Sequence, residues 1–413
     1  MSEATPESVL AELETWALAN WNPDSSLRQW RNLLTDAGWA APSWPAQWGG
    51  QGLPTWADDL VGARLIELGM TSTPLGGGTG LAAPTILTHG PDHVRERFLR
   101  RILAGEETWC QLFSEPGAGS DLAGLTTTAV RDGDQWIVNG QKVWNTSAHH
   151  ADFAMLVART DWDVPKHRGL TYFALPMHQP GVEVRPLRQM NYHQSFNEVF
   201  MTDARIPAEF VIGEVGQGWA VASTTLAYER RYGALSRPKY APTPSAVLDE
   251  ARAEADDHFA TYRWYPQRAG RPDLLKPRAA ANGNDESALV RQQLADVHSL
   301  QQVSKWTADR AKAARLLGRP PGAEGSIGKL ATSNVARASL RAHTSIAGAY
   351  GMLRGPEDRA DGVVAEVLVS VPAQSIAGGT DEIQKNILGE RMLGLPREPS
   401  NDKDLPFREA RRN

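Results

Sequence analysis

Trp144 and Thr146 stand two positions apart in residues 139–146, which read NGQKVWNT. An indole ring offers a flat apolar surface against which a planar group can lie. Side chains two positions apart on an extended segment project to the same side, so the Thr146 hydroxyl can donate to the edge of that group. The pair therefore suits a planar cofactor. The alternative is that Trp144 and Phe113 are ordinary core aromatics of a β-rich region.

A glycine-rich segment, residues 114–121 (SEPGAGSD), precedes this pair along the chain. Glycine has no side chain, so Gly117 and Gly119 would let the backbone approach a ligand closely. A single Gly-x-Gly pair is weak evidence, because glycine-rich turns are common. In this segment the candidate cofactor-contacting residues are Phe113, Ser114, Gly119 and Ser120.

Taken together, the two segments resemble the flavin-contacting signature of the acyl-CoA dehydrogenase family. Residues 196–199 (FNEV) and 378–384 (GGTDEIQ) match further motifs of that family, and the resemblance covers nearly the whole chain. It implies a mainly α fold with a β-domain. The implied parts are an N-terminal helical domain at 1–108, a central small β-barrel-like domain at 109–215 and a C-terminal helical bundle at 216–413.

The chemistry that the resemblance implies is FAD-dependent α,β-dehydrogenation of an acyl-CoA thioester. A base removes the α-proton while the β-hydride passes to the flavin, and hydrogen-bond donors polarise the thioester carbonyl. Many family members carry the catalytic glutamate at the first position of the C-terminal motif, which is Gly378 here. The backbone N–H of Gly378 can still polarise the carbonyl, but a glycine cannot accept a proton.

Glu229 offers a substitute base. It lies in residues 225–231 (TLAYERR), which we expect early in the helix after the β-domain. Members similar to isovaleryl-CoA dehydrogenase and to bacterial sterol side-chain dehydrogenases place their catalytic glutamate in the corresponding Glu-Arg pair. The alternative is a surface glutamate paired with a neighbouring arginine. A glycine at 378 also frees space beside the substrate, which favours a branched or bulky acyl chain.

Two segments depart from the family pattern. Residues 262–268 (YRWYPQR) stand where many members carry an arginine that reaches the FAD pyrophosphate of a neighbouring subunit, and residues 345–351 (SIAGAYG) replace a glutamine-containing glycine-rich segment. Thr380 and Glu382 are retained at positions that touch FAD in the family. Three interpretations remain open: an active acyl-CoA dehydrogenase, a non-catalytic partner subunit of a heteromeric dehydrogenase, and a flavin oxidase.

Composition and charge add expectations about partners and location. The 43 basic and 48 acidic residues leave a net charge of −5, which gives no sign of nucleic-acid or membrane-surface binding. No apolar run approaches the roughly 18 residues of a membrane span, and the N-terminus lacks a secretory pattern, so we expect a cytoplasmic protein without membrane insertion. The single cysteine, Cys110, excludes an intrachain disulfide and a multi-cysteine metal site, and we expect it to be buried. No metal site is predicted.

The resemblance also implies an acyl-CoA substrate and an electron-transfer flavoprotein as the acceptor. Assembly would be as a homodimer or homotetramer, or as a heterotetramer with a related subunit. An apolar stripe in the C-terminal helices supports assembly through that domain. Its members are Leu289, Leu294, Val297, Leu300, Val303 and Trp306.

Helical patterns occur on both sides of the segment that carries these motifs. Thr5 is a plausible N-cap with Pro6 at the first helical position, and residues 57–70 and 93–103 also have helical spacing. Residues 263–284, rich in Arg, Pro and Gly, are predicted to form a loop or irregular crossover. The basic tail at 408–413 is predicted to be a solvated end.

Short β-rich runs lie between the helical parts. They include Val130, residues 136–138, 153–157 and 170–175. The dipeptides Asp132-Gly133 and Asn139-Gly140 are predicted to form turns between strands.

Overall fold

The computed structural model describes residues 4–232, 237–316, 323–354, 362–399 and 402–410. Its contacts divide the chain into two compact units. The first unit comprises Met1–Leu187, Gln194–Thr261 and Ser400–Asn413, and the second comprises Arg188–His193 and Tyr262–Pro399. The three-domain boundaries expected from the sequence stay a prediction.

Five helices open the first unit: α1 (Pro6–Asn20), α2 (Leu27–Asp36), α3 (Trp56–Glu67), α4 (Ala83–His89) and α5 (Asp92–Leu103). The predicted start of α1 is confirmed, because the Thr5 hydroxyl accepts a hydrogen bond from the Ser8 backbone N–H and Pro6 is the first helical residue. Leu13 and Ala17 are buried on one face of this helix. Patterning therefore located α1, α3 and α5, whereas α2 and α4 were not predicted individually.

One seven-stranded sheet follows, formed by β1 (Trp109–Leu112), β2 (Thr128–Asp132), β3 (Gln135–Thr146), β4 (Phe153–Arg159), β5 (Leu170–Pro176), β6 (Val182–Leu187) and β7 (Phe196–Pro207). The strand order is β1-β4-β2-β3-β7-β6, with β5 also paired to β4. Strand β4 pairs in parallel with β1 and β2, whereas the other pairs are antiparallel. The predicted mainly α fold with a β-domain is confirmed. This sheet is curled, and strands β1, β4 and β5 are almost wholly buried.

One predicted turn is wrong. Asp132 and Gly133 do join β2 to β3, but Asn139 and Gly140 lie inside β3. A Cβ atom at Gly140 would stand 2.4 Å from the Thr127 hydroxyl oxygen. Gly140 is there because another segment approaches its backbone closely, and the pairing with β7 shifts register at this point.

Helices α6 (Gly218–Tyr232) and α7 (Ala246–Ala260) complete the first unit. A Cβ at Gly218 would lie within 2.7 Å of backbone atoms of Thr171 on β5, so only glycine lets α6 begin so close to the sheet. The Thr171 hydroxyl also accepts the Gly216 N–H at 3.0 Å. These contacts fix where α6 leaves the sheet.

The second unit consists of helices: α8 (Tyr265–Arg268), α9 (Leu275–Ala281), α10 (Ala288–Leu316), α11 (Glu324–Ala347), α12 (Val363–Ser370), α13 (Pro372–Ile376) and α14 (Asp381–Arg391). Short helical turns therefore occupy much of the predicted irregular crossover. Of the predicted apolar stripe on α10, Val297 is buried, but Leu289, Val303 and Trp306 are all more than half exposed. The periodicity identified the helix correctly, and part of the stripe stays exposed in this chain.

One apolar segment was tested as a membrane span. By length and composition, Val363–Arg391 is apolar enough to cross a membrane. In the structure it forms three helices of 8, 5 and 11 residues, and the last break contains Gly378 and Gly379 at positive φ. None of these helices reaches the roughly 20 residues that a bilayer crossing needs.

The chain's last described segment is not a free solvated end. Phe407 and Ala410 are buried, and the Phe407 backbone N–H donates to the Val164 carbonyl at 2.9 Å. Arg408 forms an ion pair with Asp163. Residues 411–413 lie outside the described part of the chain.

Candidate active site

Strand β3 is irregular where the Trp-x-Thr pair lies. Its pairing with β7 shifts between Lys142 and Asn145, and Trp144 has a φ of +64°, a region that costs a bulky residue roughly 1–2 kcal/mol. The Trp144 side chain is 55% exposed and meets Phe196 edge-on, with ring centroids 5.6 Å apart. The extended backbone assumed at Trp144 is wrong, although burial still alternates toward Thr146. Because a bulge re-aims side chains, the indole is presented outward and is not a core aromatic.

The glycine-rich loop before β2 is a tight turn. Glu115 and Ala118 exchange backbone hydrogen bonds of 2.9 and 3.1 Å, and the Val143 N–H on β3 donates to the Ser114 carbonyl at 2.9 Å. No atom lies within 4 Å of a Cβ built on Gly117 or Gly119. The outer side of the loop is therefore open, which leaves room for a ligand.

A buried ion pair fixes this loop to β3. The Lys142 ammonium, which has no exposed surface, donates to Glu115 Oε1 and to the Phe113 carbonyl, each at 2.9 Å. Glu115 also accepts the backbone N–H groups of Thr126 and Thr127 at 2.7 and 2.9 Å. Burial alone would raise the pKa of Glu115, but the Lys142 charge and these hydrogen bonds outweigh it and hold that pKa at about 2. Glu115 is thus an ionised structural group.

The two motifs also carry three hydroxyl side chains. Ser114 and Thr146 are half-buried and Ser120 is exposed, and none of the three has a hydrogen-bond partner for its hydroxyl within the described residues. A flat indole beside unpaired neutral donors matches the chemistry of a flavin ring with its polar edge. These residues fit the FAD that the sequence implies.

Phe113 contributes differently from the expectation. Its ring is 4% exposed and packs edge-on against Tyr172 in the core, with centroids 5.9 Å apart. Its carbonyl is already bonded to Lys142. Any contact between Phe113 and a cofactor is therefore limited to the backbone.

Glu229 lies about three turns after the start of α6, so its expected early position is wrong. Gln111 on β1 donates from Nε2 to Glu229 Oε2 at 3.4 Å. The backbone carbonyl of Gln111 in turn accepts from Asn145 Nδ2 at 2.8 Å. Asn145 stands between Trp144 and Thr146, so a two-bond path links the candidate base to the candidate flavin segment.

Buried hydroxyls support α6 one turn before Glu229. Thr225 Oγ1 lies 3.0 Å from both Thr85 Oγ1 and Tyr172 Oη, and it also donates to the Val221 carbonyl at 3.3 Å. These contacts join α4, β5 and α6 and fix the rotation of α6 about its axis. The side chain of Arg230 lies outside the described residues.

A cavity of about 290 Å³ borders α6. Its lining residues are Ser223, Thr224, Ala227 and Tyr228. Glu229 is not among them, so we do not assign this cavity to the substrate.

The C-terminal motif lies in the second unit and presents backbone groups. Gly378 has a φ of +68° and Gly379 one of +81°. The Gly378 carbonyl accepts from Gln384 Nε2 at 2.9 Å, whereas its N–H donates to no acceptor in the described part of the chain. A free backbone donor at Gly378 is what carbonyl polarisation requires.

Helix α14 begins directly after these glycines. The Thr380 hydroxyl caps it by accepting the Ile383 N–H at 3.2 Å, and Glu382 is exposed in its first turn. Asp381 is 2% exposed and accepts from Lys329 and Arg337 at 2.7 Å each. Burial would raise the pKa of Asp381, but the bonds from Lys329 and from neighbouring serines lower it to about 2. Thr380 and Glu382 stay predicted cofactor contacts.

Sequence reasoning missed three supporting residues. The buried ion pair of Lys142 could have been predicted, because a charged residue at an inward position of an alternating strand needs a buried partner. Gln111 and Asn145 carried none, because their roles depend on which strands become neighbours. Cys110 is buried as expected, and burial raises the pKa of its thiol to about 12. Across the described residues no cluster of three or more His, Cys, Asp or Glu side chains is placed to hold a metal ion.

Comparison with known proteins decides the family. Three family models match successive parts of the chain: the acyl-CoA dehydrogenase N-terminal domain over residues 3–106, the middle domain over 110–204 and the C-terminal domain over 278–393. Acyl-CoA dehydrogenase IpdE1 of Mycobacterium tuberculosis is 36% identical over 90% of this chain and 88% of its own length. The chain belongs to the acyl-CoA dehydrogenase family. Its enzyme class is therefore that of the acyl-CoA dehydrogenases.

Further matches agree with this assignment. Acyl-CoA dehydrogenase IpdE1 of Mycolicibacterium smegmatis is 33% identical, with 90% of this chain and 88% of that protein covered. Among solved structures, the ChsE4–ChsE5 complex from Mycobacterium tuberculosis matches with a TM-score of 0.64 and 27% identity, over 96% of this chain and all of the other. The acyl-CoA dehydrogenase fold is thus present along nearly the whole chain.

Proposed function

We propose that this acyl-CoA dehydrogenase is a catalytically active, FAD-dependent enzyme in which Glu229 removes the α-proton of the substrate. One observation carries the proposal: Glu229 is hydrogen-bonded through Gln111 to the strand segment that presents Trp144 and Thr146. The candidate base and the candidate flavin wall therefore belong to the same compact unit.

The role that we propose for each residue follows from the chemistry of its side chain or backbone. Bound FAD would supply the acceptor for the β-hydride. Trp144 would form a wall against the flavin ring, and Thr146, Ser114 and Ser120 would donate to its polar edge. Glu229 accepts the α-proton as a general base. Gly378 supplies a backbone N–H that polarises the thioester carbonyl and lowers the cost of the developing enolate.

The substrate that we propose has a branched or bulky acyl chain. Gly378 removes the side chain that would otherwise stand beside the substrate, and a Cβ built there meets no atom within 4 Å. We further propose that an electron-transfer flavoprotein accepts the electrons and that the protein works in the cytoplasm, where its lone buried thiol stays reduced.

A second candidate function is that of a non-catalytic partner in a heteromeric dehydrogenase. Its support is the missing carboxylate at Gly378 together with the similarity to the ChsE4–ChsE5 complex, which contains two kinds of chain. The exposed Leu289, Val303 and Trp306 on α10 suit assembly with a second chain, either another copy of this chain or a related subunit. In this case the flavin would belong to a site completed by the related subunit.

The visible spectrum and anaerobic bleaching separate these functions. Protein expressed alone and with any co-purifying subunit is supplied with FAD, and its absorbance is recorded before and after addition of straight-chain and branched acyl-CoA. An active dehydrogenase is yellow and is bleached faster by a branched substrate. A colourless preparation, or a yellow one that no acyl-CoA bleaches, contradicts the proposal. Rapid formation of hydrogen peroxide in air with turnover would instead show a flavin oxidase.

A further inference from the structure

The segment that joins β6 to β7 presents a strained tyrosine between two arginines. Tyr192 is 56% exposed and has a φ of +69°, a conformation that bulky side chains rarely adopt. Arg188 and Arg354 place their guanidinium carbons 4.5 and 4.7 Å from the centre of its ring. All three residues belong to the second compact unit.

Hydrogen bonds keep this segment in its strained shape. The Tyr192 N–H donates to the Gln189 carbonyl at 3.0 Å, and the Gln189 N–H donates to the His193 carbonyl at 2.9 Å. Asn191 Nδ2 donates to Ser370 Oγ at 3.1 Å, and the His193 ring is 2.9 Å from Glu366 Oε1. The turn is therefore attached to α12 at two points. Strain that is held by so many contacts points to a use for the exposed side chain.

Among the described residues, the positive charges of this cluster have no ion-pair partner. Neither Arg188 nor Arg354 forms an ion pair with any residue that the structure describes. Gln189 Nε2, in the same turn, is buried without an acceptor. Two guanidinium groups on one ring stand within about 9 Å of each other, close enough for both to reach one phosphate or diphosphate.

We propose that Arg188, Tyr192 and Arg354 form a binding site for the phosphate groups of an adenine coenzyme. Arginine presents its donors in a planar fork that matches phosphate oxygens, and the Tyr192 ring holds both forks by cation–π contact. The proposal rests on the function proposed above, because FAD and CoA are the two coenzymes that carry this chemistry. Each contains a diphosphate attached to adenosine, and CoA has an additional 3′-phosphate.

Binding measurements on five proteins test this site. They are the wild type, Arg188→Met, Arg354→Met and the double variant, with Arg28→Met as the control because Arg28 is an exposed arginine outside the cluster. Apoprotein is titrated with FAD and with FMN, which lacks the adenylate. Flavin-loaded protein is titrated by calorimetry with CoA and with 3′-dephospho-CoA.

Each single variant is expected to lower the affinity for one coenzyme about tenfold, and the double variant about a hundredfold. These are the losses expected when charge-assisted hydrogen bonds are removed. A loss for FAD but not for FMN identifies the flavin adenylate as the ligand. Weaker binding of CoA identifies the coenzyme part of the substrate as the ligand. If the variants weaken binding of CoA but not of 3′-dephospho-CoA, the site binds the 3′-phosphate. Arg28→Met should stay within about twofold of wild type.

Tyr192→Gly separates binding from folding. Glycine relieves the positive φ, so this variant should be at least as stable as wild type, yet it should bind the same coenzyme several-fold more weakly. The proposal is overturned if the double variant binds both coenzymes within about threefold of wild type, or if Arg28→Met weakens binding equally. If the wild type itself binds neither FAD nor CoA, the proposed enzymatic function fails, which is a different result.

Discussion

The two glycine-rich segments of this chain each rest on a buried carboxylate. Glu115 anchors residues 114–121 through Lys142, and Asp381 anchors residues 378–384 through Lys329 and Arg337. The surfaces that they present differ. The first segment carries the Ser114 and Ser120 hydroxyls and is bonded to Val143, next to the outward Trp144, whereas the second presents two glycines and, among the described residues, an unbonded Gly378 N–H.

This difference shows which groups each segment can contribute to a reaction. Buried charges fix the backbone in both segments, so neither carboxylate is available to take a proton. At position 378 the C-terminal segment can only polarise a carbonyl, because Gly378 has no side chain. The function that we propose therefore takes the base from another element, Glu229 on α6, which accepts a hydrogen bond from Gln111 on β1.

The largest effect is expected for Glu229→Gln, which tests the assignment of Glu229 as the base. Glu229→Gln keeps the shape of the side chain but removes its ability to accept a proton. The rate of anaerobic flavin reduction by a substrate of the wild type should fall about 10²- to 10⁴-fold, with flavin content unchanged. Glu214→Gln, an exposed glutamate just before α6, is the control and should change the rate little. If the rate for Glu229→Gln stays within about threefold of wild type, Glu229 is not the base.

The ion pairs of the first segment differ in burial and allow a matched test of stability. Lys142→Met leaves Glu115 as a buried, uncompensated carboxylate and should lower the free energy of unfolding by about 3–5 kcal/mol. Lys166 pairs with Asp121 of the same segment at 3.0 Å, but Asp121 is about half exposed. Lys166→Met should therefore cost below about 1 kcal/mol. Equal losses in urea unfolding would show that burial of the pair is unimportant.

The pH dependence of stability sharpens the role of Glu115. Its pKa is about 2 in the folded chain, below the ordinary value of 4.5. A carboxyl whose pKa is depressed by folding stabilises the fold above its unfolded pKa, and this contribution is lost as the pH falls through the folded value. The stability deficit of Glu115→Gln should thus be largest near pH 7 and shrink between about pH 4.5 and pH 2. A deficit that stays constant over this range would contradict an ionised Glu115.

Sequence patterns predicted the family, the helices and the strands, because these depend on periodicity and on local motifs. They did not predict that Gly140 lies within a strand, since the close approach of Thr127 comes from distant parts of the chain. The bulge at Trp144 was missed for a similar reason, because it depends on register with β7.

Substitutions of glycine test whether the second segment acts through its backbone. Gly378 and Gly394 have φ values of +68° and +67°, and a Cβ at either position meets nothing within 4 Å. Alanine at each position should therefore cost about the same stability, roughly 1–2 kcal/mol. Turnover should fall clearly in Gly378→Ala and little in Gly394→Ala, because only the former shifts the N–H that polarises the thioester.

The Gly378→Glu variant completes this test. It carries the same backbone strain as alanine and, under the proposed mechanism, adds a carboxylate beside the substrate, so it should also lose activity on the native substrate. Because the position itself is open, the loss would come from the backbone and from charge instead of collision with the protein. A large gain in turnover for Gly378→Glu would show that position 378 is where the base must act.

The smallest expected effect concerns the contact between Gln111 and Glu229. Gln111→Leu removes a donor that favours the ionised carboxylate, so the pH at which flavin reduction reaches half its plateau should rise, by up to about one pH unit. The plateau rate itself should change only a few-fold. Gln141→Leu is the matched control, because Gln141 Nε2 makes a similar 3.3 Å bond to Glu198 on β7. If both variants leave the pH profile of stopped-flow reduction unchanged, the Gln111 contact does not tune the base, and the link between Glu229 and the flavin segment is structural.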